Sequence, residues 1–356
     1  MTTSGDTQSI PLRFLVKSVA SATLFLCLAA GCAPPATPAP EQVEFTGAIM
    51  GTTYHIKVAA TMTDPESTDT AKAIEDALKN VDQKMSTYKP DSEVSRLNAS
   101  PAGVPVTLSD ETFEVFEKGL QVNRESDGAF DITVGPLVNA WGFGPDGPAH
   151  LPGDDELATL LALVGPDKIT INAEAHTVTK AADGVYCDPA SVAEGYAVDQ
   201  VAELLLTRGY GDYMVEVGGE VRTAGKNASG APWKIAIEKP VDEGRVIQRV
   251  VGISGVSLST SGNYRKFYIV DGRRVSHAIN PKTGRPAEHS LASASVIHPN
   301  CALADAYSTA IMVLGEKDGI AFAEKLKLPV LLLIHGEQGE IIERQTPEFG
   351  AYLLED

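Results

Sequence analysis

The chain has 356 residues, of which 43% are hydrophobic and 21% are charged, and its formal net charge is −18. These values are typical of a globular protein and exclude the fibrous and intrinsically disordered classes. The negative charge argues against general nucleic-acid binding, because neutralising phosphates requires a basic surface. The length permits two or three domains or one larger domain, which can bury a large core without disulfides or a structural metal.

The N-terminus is typical of a bacterial lipoprotein signal peptide. Two basic residues precede an uncharged run, 18–30, which is too short to span a bilayer as a helix. The run ends in the sequence LAAGC at 28–32, which resembles a lipobox, although Ala29 stands where leucine is more usual. We therefore expect residues 1–31 to be a signal peptide and Cys32 to be lipidated. The alternative is an ordinary secreted protein cleaved after an Ala-x-Ala sequence.

A proline-rich segment follows this cysteine. Residues 33–40 carry four prolines and no charge, which is typical of a semi-rigid tether. We interpret residues 32–42 as the lipidated cysteine and its tether, and residues 43–356 as the folded domain. The expected location is the periplasmic side of a bacterial cell membrane, with the lipid as the membrane anchor.

The folded region is predicted to mix helices and short strands. The first half of the domain is predicted to hold strands over 43–59 around a Met50-Gly51-Thr52 turn, helices over 70–84 and 111–126, and a Gly- and Pro-rich loop over 142–153. A helix that Asp188 caps follows and stops at Gly209. The rest is predicted to hold short strands over 213–268, a buried helix over 302–314 and a central strand over 330–335. The segregation of strands from helices indicates an α+β fold with antiparallel sheets. No GxGxxG sequence follows the first strand, so a Rossmann site is not expected.

The helix over 302–314 carries oxygen ligands on one face. Asp305 and Thr309 are four residues apart, and Ser308 lies beside them. One carboxylate and two hydroxyls suit Mg²⁺, which takes few protein ligands besides substrate phosphates. The alternative is that Asp305 caps the helix and Thr309 bonds to its own backbone.

A second group of polar residues surrounds a helix N-terminus. Asp188, Ser191 and Glu194 follow one another at intervals of three, and a helix N-terminus offers free N–H groups to phosphate or ribose hydroxyls. The alternative is an ordinary capped helix with a surface glutamate. The Ser259–Gly262 sequence is a polar, Gly-containing turn that can approach phosphate, and its alternative is a turn with no ligand.

Three side chains are candidates for contact with a flat substrate or for proton transfer. His277 precedes a Pro/Gly turn and has an unperturbed pKa suited to a general acid or base. Phe130, in a Gly128–Asp131 sequence, and Tyr88, just after a helix, can face a flat ring. The alternatives are a solvated or packed loop histidine and ordinary core aromatics.

Taken together, these segments resemble the FAD:protein FMN transferase (ApbE) family. The resemblance spans residues 45–315 in the family's order, and the ordered set is far more specific than any one motif. The matching segments are Met50-Gly51-Thr52, Met85-Ser86-Thr87-Tyr88 with Ser92 to Asn98, Gly128-Ala129-Phe130-Asp131 with Gly135-Pro136, Ala193 to Asp199, Val217-Gly218-Gly219-Glu220, Ser259 to Gly262, His277-Ala278-Ile279-Asn280-Pro281 with Gly284, and Ala304 to Ala310. The lipobox also fits this family.

The resemblance implies a T-fold-like α+β domain that holds FAD in a cleft and uses Mg²⁺. Glu194 stands where many members carry a lysine, so the charge at that position is reversed. The implied flavin contacts are Met50, Tyr88, Ala129, Phe130, Asp131, Asp188, Glu194 and Ile279. The implied metal ligands are Asp305, Ser308 and Thr309 with a backbone oxygen at Ser191, and His277 is the candidate proton shuttle.

The implied reaction is phosphoryl transfer from FAD to a protein. A Thr or Ser hydroxyl of a target attacks the FMN-side phosphorus and AMP leaves, while Mg²⁺ neutralises charge on the pyrophosphate oxygens. Targets in this family are typically flavin-bearing subunits of membrane redox complexes. Two alternatives stay open: a hydrolase that cuts FAD to FMN and AMP, and a non-catalytic lipoprotein that stores or delivers FAD.

Two cysteines, Cys187 and Cys301, remain after the signal peptide and Cys32 are set aside. Neither belongs to a CxxC or Cys/His spacing, so no zinc site is expected. Each lies just before a proposed site segment, and an oxidising compartment permits a bridge between neighbouring thiols. We predict two separate buried thiols, because a bridge needs a specific Cα separation and free cysteine buries readily.

Overall fold

The computed structural model describes residues 41–354, apart from residues 146, 148–150, 242–243, 265–266 and 271–272. The expected signal peptide over 1–31, the lipidated Cys32 and the tether up to residue 40 lie outside the described residues. Within the described ranges, no helix is both long enough and apolar enough to cross a membrane.

The elements follow a mixed order along the chain. The helices are α1 (Asp64–Met85), α2 (Glu93–Ala99), α3 (Asp110–Glu125), α4 (Gly135–Ala140), α5 (Asp154–Leu161), α6 (Ala190–Thr207) and α7 (Cys301–Leu326). The strands are β1 (Gln42–Ile49), β2 (Thr52–Ala59), β3 (Val106–Thr107), β4 (Ile169–Asn172), β5 (Thr177–Lys180), β6 (Tyr213–Val217), β7 (Glu220–Ala224), β8 (Trp233–Glu238), β9 (Ile247–Ile253), β10 (Ser257–Gly262), β11 (Phe267–Val270), β12 (Arg273–Ser276), β13 (Leu291–His298), β14 (Val330–His335) and β15 (Ile341–Gln345). Short 3₁₀ helices occur at Pro166–Lys168 and Pro347–Tyr352.

The main sheet has eight strands in the order β1-β2-β6-β7-β10-β13-β14-β15, and its strand pairs are antiparallel. The β8-β9 and β11-β12 hairpins and a β3-β5-β4 sheet are separate. This arrangement confirms the predicted α+β class with antiparallel sheets. The 330–335 strand is interior, as predicted, but it lies next to the edge strand β15 rather than at the centre of the sheet.

Both faces of the main sheet are covered by apolar residues. Along β14, Val330, Leu332 and Ile334 pack with the helices, whereas Leu331 and Leu333 pack with the β8-β9 hairpin. This alternation is the period of two that a strand imposes on its side chains. The strand is therefore buried on both faces, which explains its continuous apolar sequence.

Helices α6 and α7 cross at backbone contact. A Cβ atom at Gly195 would lie 2.4 Å from the Cys301 carbonyl oxygen, so only glycine permits this approach. The α7 helix begins at the N-cap Asn300, whose side chain accepts the Leu303 N–H at 3.0 Å. The glycine contact therefore places the first turns of α6 and α7 side by side.

Several sequence predictions require correction. Helix α1 begins at Asp64 rather than at residue 70, because Asp64 and Glu66 supply an acidic first turn. Helix α7 continues beyond residue 314 to Leu326, with a kink at Gly315. The Ser259–Gly262 sequence is part of strand β10, not a turn.

The start of α6 also differs from the prediction. Its N-cap is Pro189, and Asp188 instead accepts the Ala190 N–H through Oδ1 at 3.1 Å. The prediction for the cysteines is confirmed, because Cys187 and Cys301 are both free and buried.

Candidate functional site

Two tight hairpin turns lie side by side at one end of the main sheet. Met50 and Gly51 join β1 to β2 with φ values of 52° and 74°, and Gly218 and Gly219 join β6 to β7 with φ values of 66° and 116°. The Gly218 N–H donates to the Thr53 carbonyl at 3.0 Å, which ties the two turns together. A non-glycine residue with positive φ is strained, and such residues are frequent at binding sites. Met50 is therefore held at this edge by the hairpin geometry.

Three carboxylates lie behind the Gly218-Gly219 turn, and we call Glu194, Glu220 and Asp305 the carboxylate cluster. A Cβ atom at Gly218 would lie 3.2 Å from Glu194 Oε2 and 3.3 Å from Glu220 Oε2. Burial, the Asp305 charge and the Glu194 charge, in that order, raise the pKa of Glu220 well above its usual value. Neighbouring like charges in a buried place favour the neutral acid or a bound cation.

Hydroxyl groups lie beside the cluster. Ser308 Oγ is 2.7 Å from Ser261 Oγ and 3.2 Å from Ser259 Oγ, and Ser261 Oγ is 3.2 Å from Thr309 Oγ1. Ser308 also donates to the Asp305 carbonyl at 2.9 Å. Strand β10 supplies Ser259 and Ser261 from the same face, because they are two residues apart. The Asp305, Ser308 and Thr309 face of α7 is thus lined by further oxygens that sequence reasoning did not assign to it.

The first turn of α6 meets this face directly. The Gly195 N–H donates to Asp305 Oδ2 at 3.1 Å. Ser191 has a ψ of 19°, which is outside the helical range and turns its carbonyl away from the helix axis. In a regular helix the Gly195 N–H would donate to the Ser191 carbonyl, and here it donates to Asp305 instead.

The segment 129–133 joins the same helix N-terminus. The Asp188 N–H donates to the Ile132 carbonyl at 2.7 Å. The Asp131 carboxylate is buried and accepts from the Thr133 hydroxyl at 2.6 Å and from the Asn123 amide at 3.0 Å. The Phe130 ring packs in the main core. The side chains of Asp131 and Phe130 hold the segment in place. A ligand can therefore contact the backbone of the segment and Ala129.

The turn after His277 packs on this segment and on α4. Trp141 Nε1 donates to the Gly284 carbonyl at 2.7 Å, and Lys282 forms an ion pair of 2.8 Å with Asp127. Ile279 is buried in a small apolar cluster with Trp141. The turn is therefore fixed on both sides, and it holds His277 half-buried in front of it.

Tyr88 and His277 approach each other through Phe143. The Tyr88 ring is 66% exposed, and its hydroxyl donates to the Phe143 carbonyl at 3.3 Å. The Phe143 ring centroid is 6.2 Å from that of His277 in an edge-on arrangement. An exposed tyrosine held in this way offers an open aromatic face. Phe143 was not singled out by sequence reasoning, which treated its segment only as a Gly- and Pro-rich loop.

The predicted site segments thus form a chain of contacts. One set of contacts leads from the turn after His277 through the 127–133 segment to Asp188. Another joins α6 to Asp305 through Gly195 and to the two hairpin turns through Glu194. Within the described ranges, no three His, Cys, Asp or Glu side chains converge closely enough to hold a metal ion by themselves. Any cation here would therefore need the hydroxyls, a backbone oxygen or substrate oxygens as additional ligands, which is the mode that Mg²⁺ favours.

Glu220 is the main residue that sequence reasoning left without a role. It opens β7 directly after two glycines, within the Val217–Glu220 motif, and is 7% exposed. A glutamate at the start of a buried strand is the signal that was available. The role of Glu220 depends on which helices cover that face of strand β7, and the motif alone does not show which helices these are.

Comparison with known proteins identifies the family of this chain. A model described as the ApbE family matches residues 50–332. A Haemophilus influenzae protein named FAD:protein FMN transferase is 43% identical over 315 residues, covering 85% of this chain and 90% of that protein. A protein of the same name from Vibrio cholerae is 41% identical, covering 88% and 92%. The solved structure titled flavin transferase ApbE from Vibrio cholerae superposes with a TM-score of 0.81 at 40% identity, covering 88% of this chain and 99% of that one.

Proposed function

Because the chain belongs to the ApbE family, we propose that it transfers FMN from FAD to a Thr or Ser hydroxyl of a target protein, in a Mg²⁺-dependent reaction that releases AMP. Two relatives named FAD:protein FMN transferase are 41% and 43% identical in sequence to this chain over most of both chains. This identity supports the transferase activity and FAD as the substrate. The Mg²⁺ requirement and the release of AMP rest on the chemistry of the site.

The observation that carries the proposal is the crossing of α6 and α7. Asp305 accepts the Gly195 N–H from α6, Ser308 and Thr309 follow on the next turn of α7, and the irregular Ser191 lies one turn before Gly195, which supports a cation site here. Glu220 Oε2 is buried there with no hydrogen-bond partner in the described structure, which leaves an oxygen acceptor beside these residues. These residues fit a hard divalent cation.

We assign Asp305, Ser308, Thr309 and the Ser191 backbone oxygen as the residues that would hold Mg²⁺. The ion, when bound, would neutralise charge on the pyrophosphate oxygens of FAD. The N-terminus of α6 would add its N–H groups and its positive dipole end. An acidic protein can in this way bind an anionic substrate.

We assign the flavin contacts to residues around the same chain of contacts. Tyr88 presents an open aromatic face, and Met50 lies on the hairpin turn that borders the carboxylate cluster. The remaining assigned contacts are Ala129, Phe130 and Asp131 through their backbone, Asp188, Glu194 and Ile279.

His277 is our candidate for the group that accepts the proton of the attacking hydroxyl. It is half-buried and held beside Phe143, so it lies near the exposed face of Tyr88 where an acceptor segment can enter. The acceptor oxygen would then form a bond to the FMN-side phosphorus while the bond to AMP breaks.

We further propose that Cys32 carries a lipid that holds the domain at the periplasmic side of a bacterial cell membrane. The lipobox sequence and the proline-rich tether support this location. The targets would then be flavin-bearing subunits of membrane redox complexes. Cys32→Ser should move the protein from the membrane fraction to the soluble fraction while FAD cleavage continues; retention in the membrane fraction would contradict the anchor.

Mass spectrometry of a candidate target tests the proposed reaction. The target is incubated with the enzyme, FAD and Mg²⁺, and AMP is measured in parallel. We expect the target to gain the mass of one FMN on a Thr or Ser, with AMP released in equal amount. AMP release without a modified target under any condition would identify a hydrolase, and tight FAD binding with no AMP would identify a carrier.

A further inference from the structure

Glu220 is a buried carboxylate that the assigned site does not use. It opens β7, is 7% exposed, and its Oε2 atom has no hydrogen-bond partner among the described residues. Its neighbour Val221 packs with the β8-β9 side of the sheet, so Glu220 points to the opposite face, where α6 and α7 lie. A buried acceptor without a partner is rare in a stable fold and calls for a physical explanation.

The surroundings of Glu220 are negative. Glu194 Oε2 and Glu220 Oε2 both lie within 3.3 Å of one point beside Gly218, and Asp305 interacts with Glu220 through its charge. Arg222, two residues along the same face of β7, already pairs with Asp199 and Glu203. Within the described residues, Glu220 therefore has carboxylate neighbours and forms no ion pair.

A hydrated cation is the partner that best satisfies this arrangement. The three carboxylates do not converge on a single point in the described structure, so direct ligation by all of them is not supported. Mg²⁺ usually retains several water molecules, and these waters donate hydrogen bonds. A carboxylate one water away from the ion would receive such a bond and add attraction across a medium of low dielectric constant.

We propose that Glu220 is a positioning residue of the cation site, which accepts a hydrogen bond from a water on the ion held at Asp305 and so raises the affinity for that ion. The proposal rests on the proposed Mg²⁺ dependence and extends it to a residue on a different element, strand β7. It explains why a glutamate is buried behind the Gly218-Gly219 turn, where an apolar residue would otherwise stabilise the core.

Titration of the full chain with Mn²⁺ alone, followed by the electron paramagnetic resonance signal of free Mn²⁺, tests this role without any turnover. We compare the wild type with Glu220→Gln, with the charge-preserving Glu220→Asp, and with Glu203→Gln, which removes the same charge from an exposed position on α6. We expect Glu220→Gln to weaken Mn²⁺ binding at least tenfold, Glu220→Asp to weaken it less, and Glu203→Gln to leave it unchanged. The Mg²⁺ concentration for half-maximal AMP release should shift in parallel.

The melting temperature in EDTA separates this role from a purely structural one. We expect Glu220→Gln to melt no lower than the wild type, because glutamine fills the same volume without the charge. A lower melting temperature, Mn²⁺ affinity within twofold of the wild type, or a wild type that binds no Mn²⁺ would each overturn the proposal. Metal-independent AMP release by the wild type would instead refute the Mg²⁺ requirement, and the Mn²⁺ titration would still report on Glu220.

Discussion

Two buried acidic sites lie along the same pair of helices, and they are completed in opposite ways. At the start of α7, Asp199 from α6 accepts the N–H groups of Cys301 and Ala302 and forms an ion pair of 2.8 Å with Arg222. One turn further along α7, Asp305 faces Glu194 and Glu220 instead. Arg222 and Glu220 project from the same face of β7, so a single strand supplies a cation to one site and an anion to the other.

The difference separates a carboxylate that stabilises a helix start from a group of carboxylates placed next to one another. Asp199 satisfies N–H groups at a helix N-terminus and has a counter-charge, which is the arrangement in which a buried carboxylate can be stable. In the carboxylate cluster, Asp305 and Glu194 both act on Glu220 through like charge, and Glu220 Oε2 has no hydrogen-bond partner among the described residues. We infer that removing Asp199 damages stability, whereas removing a carboxylate of the cluster damages activity.

The largest expected effect is on activity. Asp305→Asn should reduce AMP release from FAD by at least about 100-fold, because loss of a metal ligand should cost no less than loss of its supporting residues. The free energy of unfolding should stay near the wild-type value or rise, since asparagine can still accept the Gly195 N–H. Initial rates and urea unfolding of the same preparation check this. A folded variant with wild-type rates would remove Asp305 from the metal site.

The second effect is on stability. Asp199→Ala should lower the free energy of unfolding by about 3–5 kcal/mol, because it leaves Arg222 without its buried partner and two helix N–H groups without an acceptor. Urea unfolding monitored by circular dichroism measures the loss. The matched control is Glu203→Ala, which removes the exposed partner of Arg222 and should cost about 0–1 kcal/mol. Equal losses in the two variants would contradict the structural role of Asp199.

Gly195 connects the two sites, so its substitution should affect both properties. Gly195→Ala places a methyl group against the Cys301 carbonyl and should cost about 1–3 kcal/mol through overpacking. It should also reduce the rate of AMP release, because the Gly195 N–H positions Asp305. Gly211→Ala is the control, since a Cβ atom there meets nothing within 4 Å. A variant with normal stability and normal rate would show that the helices can separate without consequence.

The smallest expected effect is on pH dependence. The pKa of Glu220 is raised in the folded protein by burial, Asp305 and Glu194. Between the unfolded and folded pKa values of Glu220, its carboxyl group is protonated more often in the native state than in the unfolded state. The contribution of Glu220 to the free energy of unfolding therefore falls as pH rises above about 4.3, and it stops falling beyond the folded pKa. In EDTA, the urea midpoint of the wild type should fall more over this range than that of Glu220→Gln. Parallel curves would show that Glu220 has no raised pKa.

How much of this was accessible from the sequence depends on the range of the interactions involved. The grouping of Asp305, Ser308 and Thr309 follows from the helical repeat alone, and it was predicted. Their contact with Ser261, and the position of Glu220 behind the second turn, depend on the order of strands in the sheet. No local pattern encodes that order, so these neighbours were not predicted.

The limits of the helices show the same division. The last helix was predicted to end at residue 314, just before Gly315, which has a φ of 78°. A glycine with positive φ commonly follows the end of a helix. The helix instead kinks at Gly315 and continues, because burial of Ile320, Phe322 and Ala323 in the main core stabilises the residues after the kink. Tertiary packing therefore decides the outcome where the local signal is to stop.

The complete burial of the two thiols has a practical consequence for labelling this protein. Burial raises the pKa of Cys187 to about 12 and that of Cys301 well above its usual range. The thiols therefore stay protonated at neutral pH, whereas the thiolate is the form that reacts with maleimides and disulfides. In a chain without Cys27 and Cys32, a single cysteine introduced at an exposed site such as Ile342 on β15 can therefore carry a fluorophore, with both core thiols left in place.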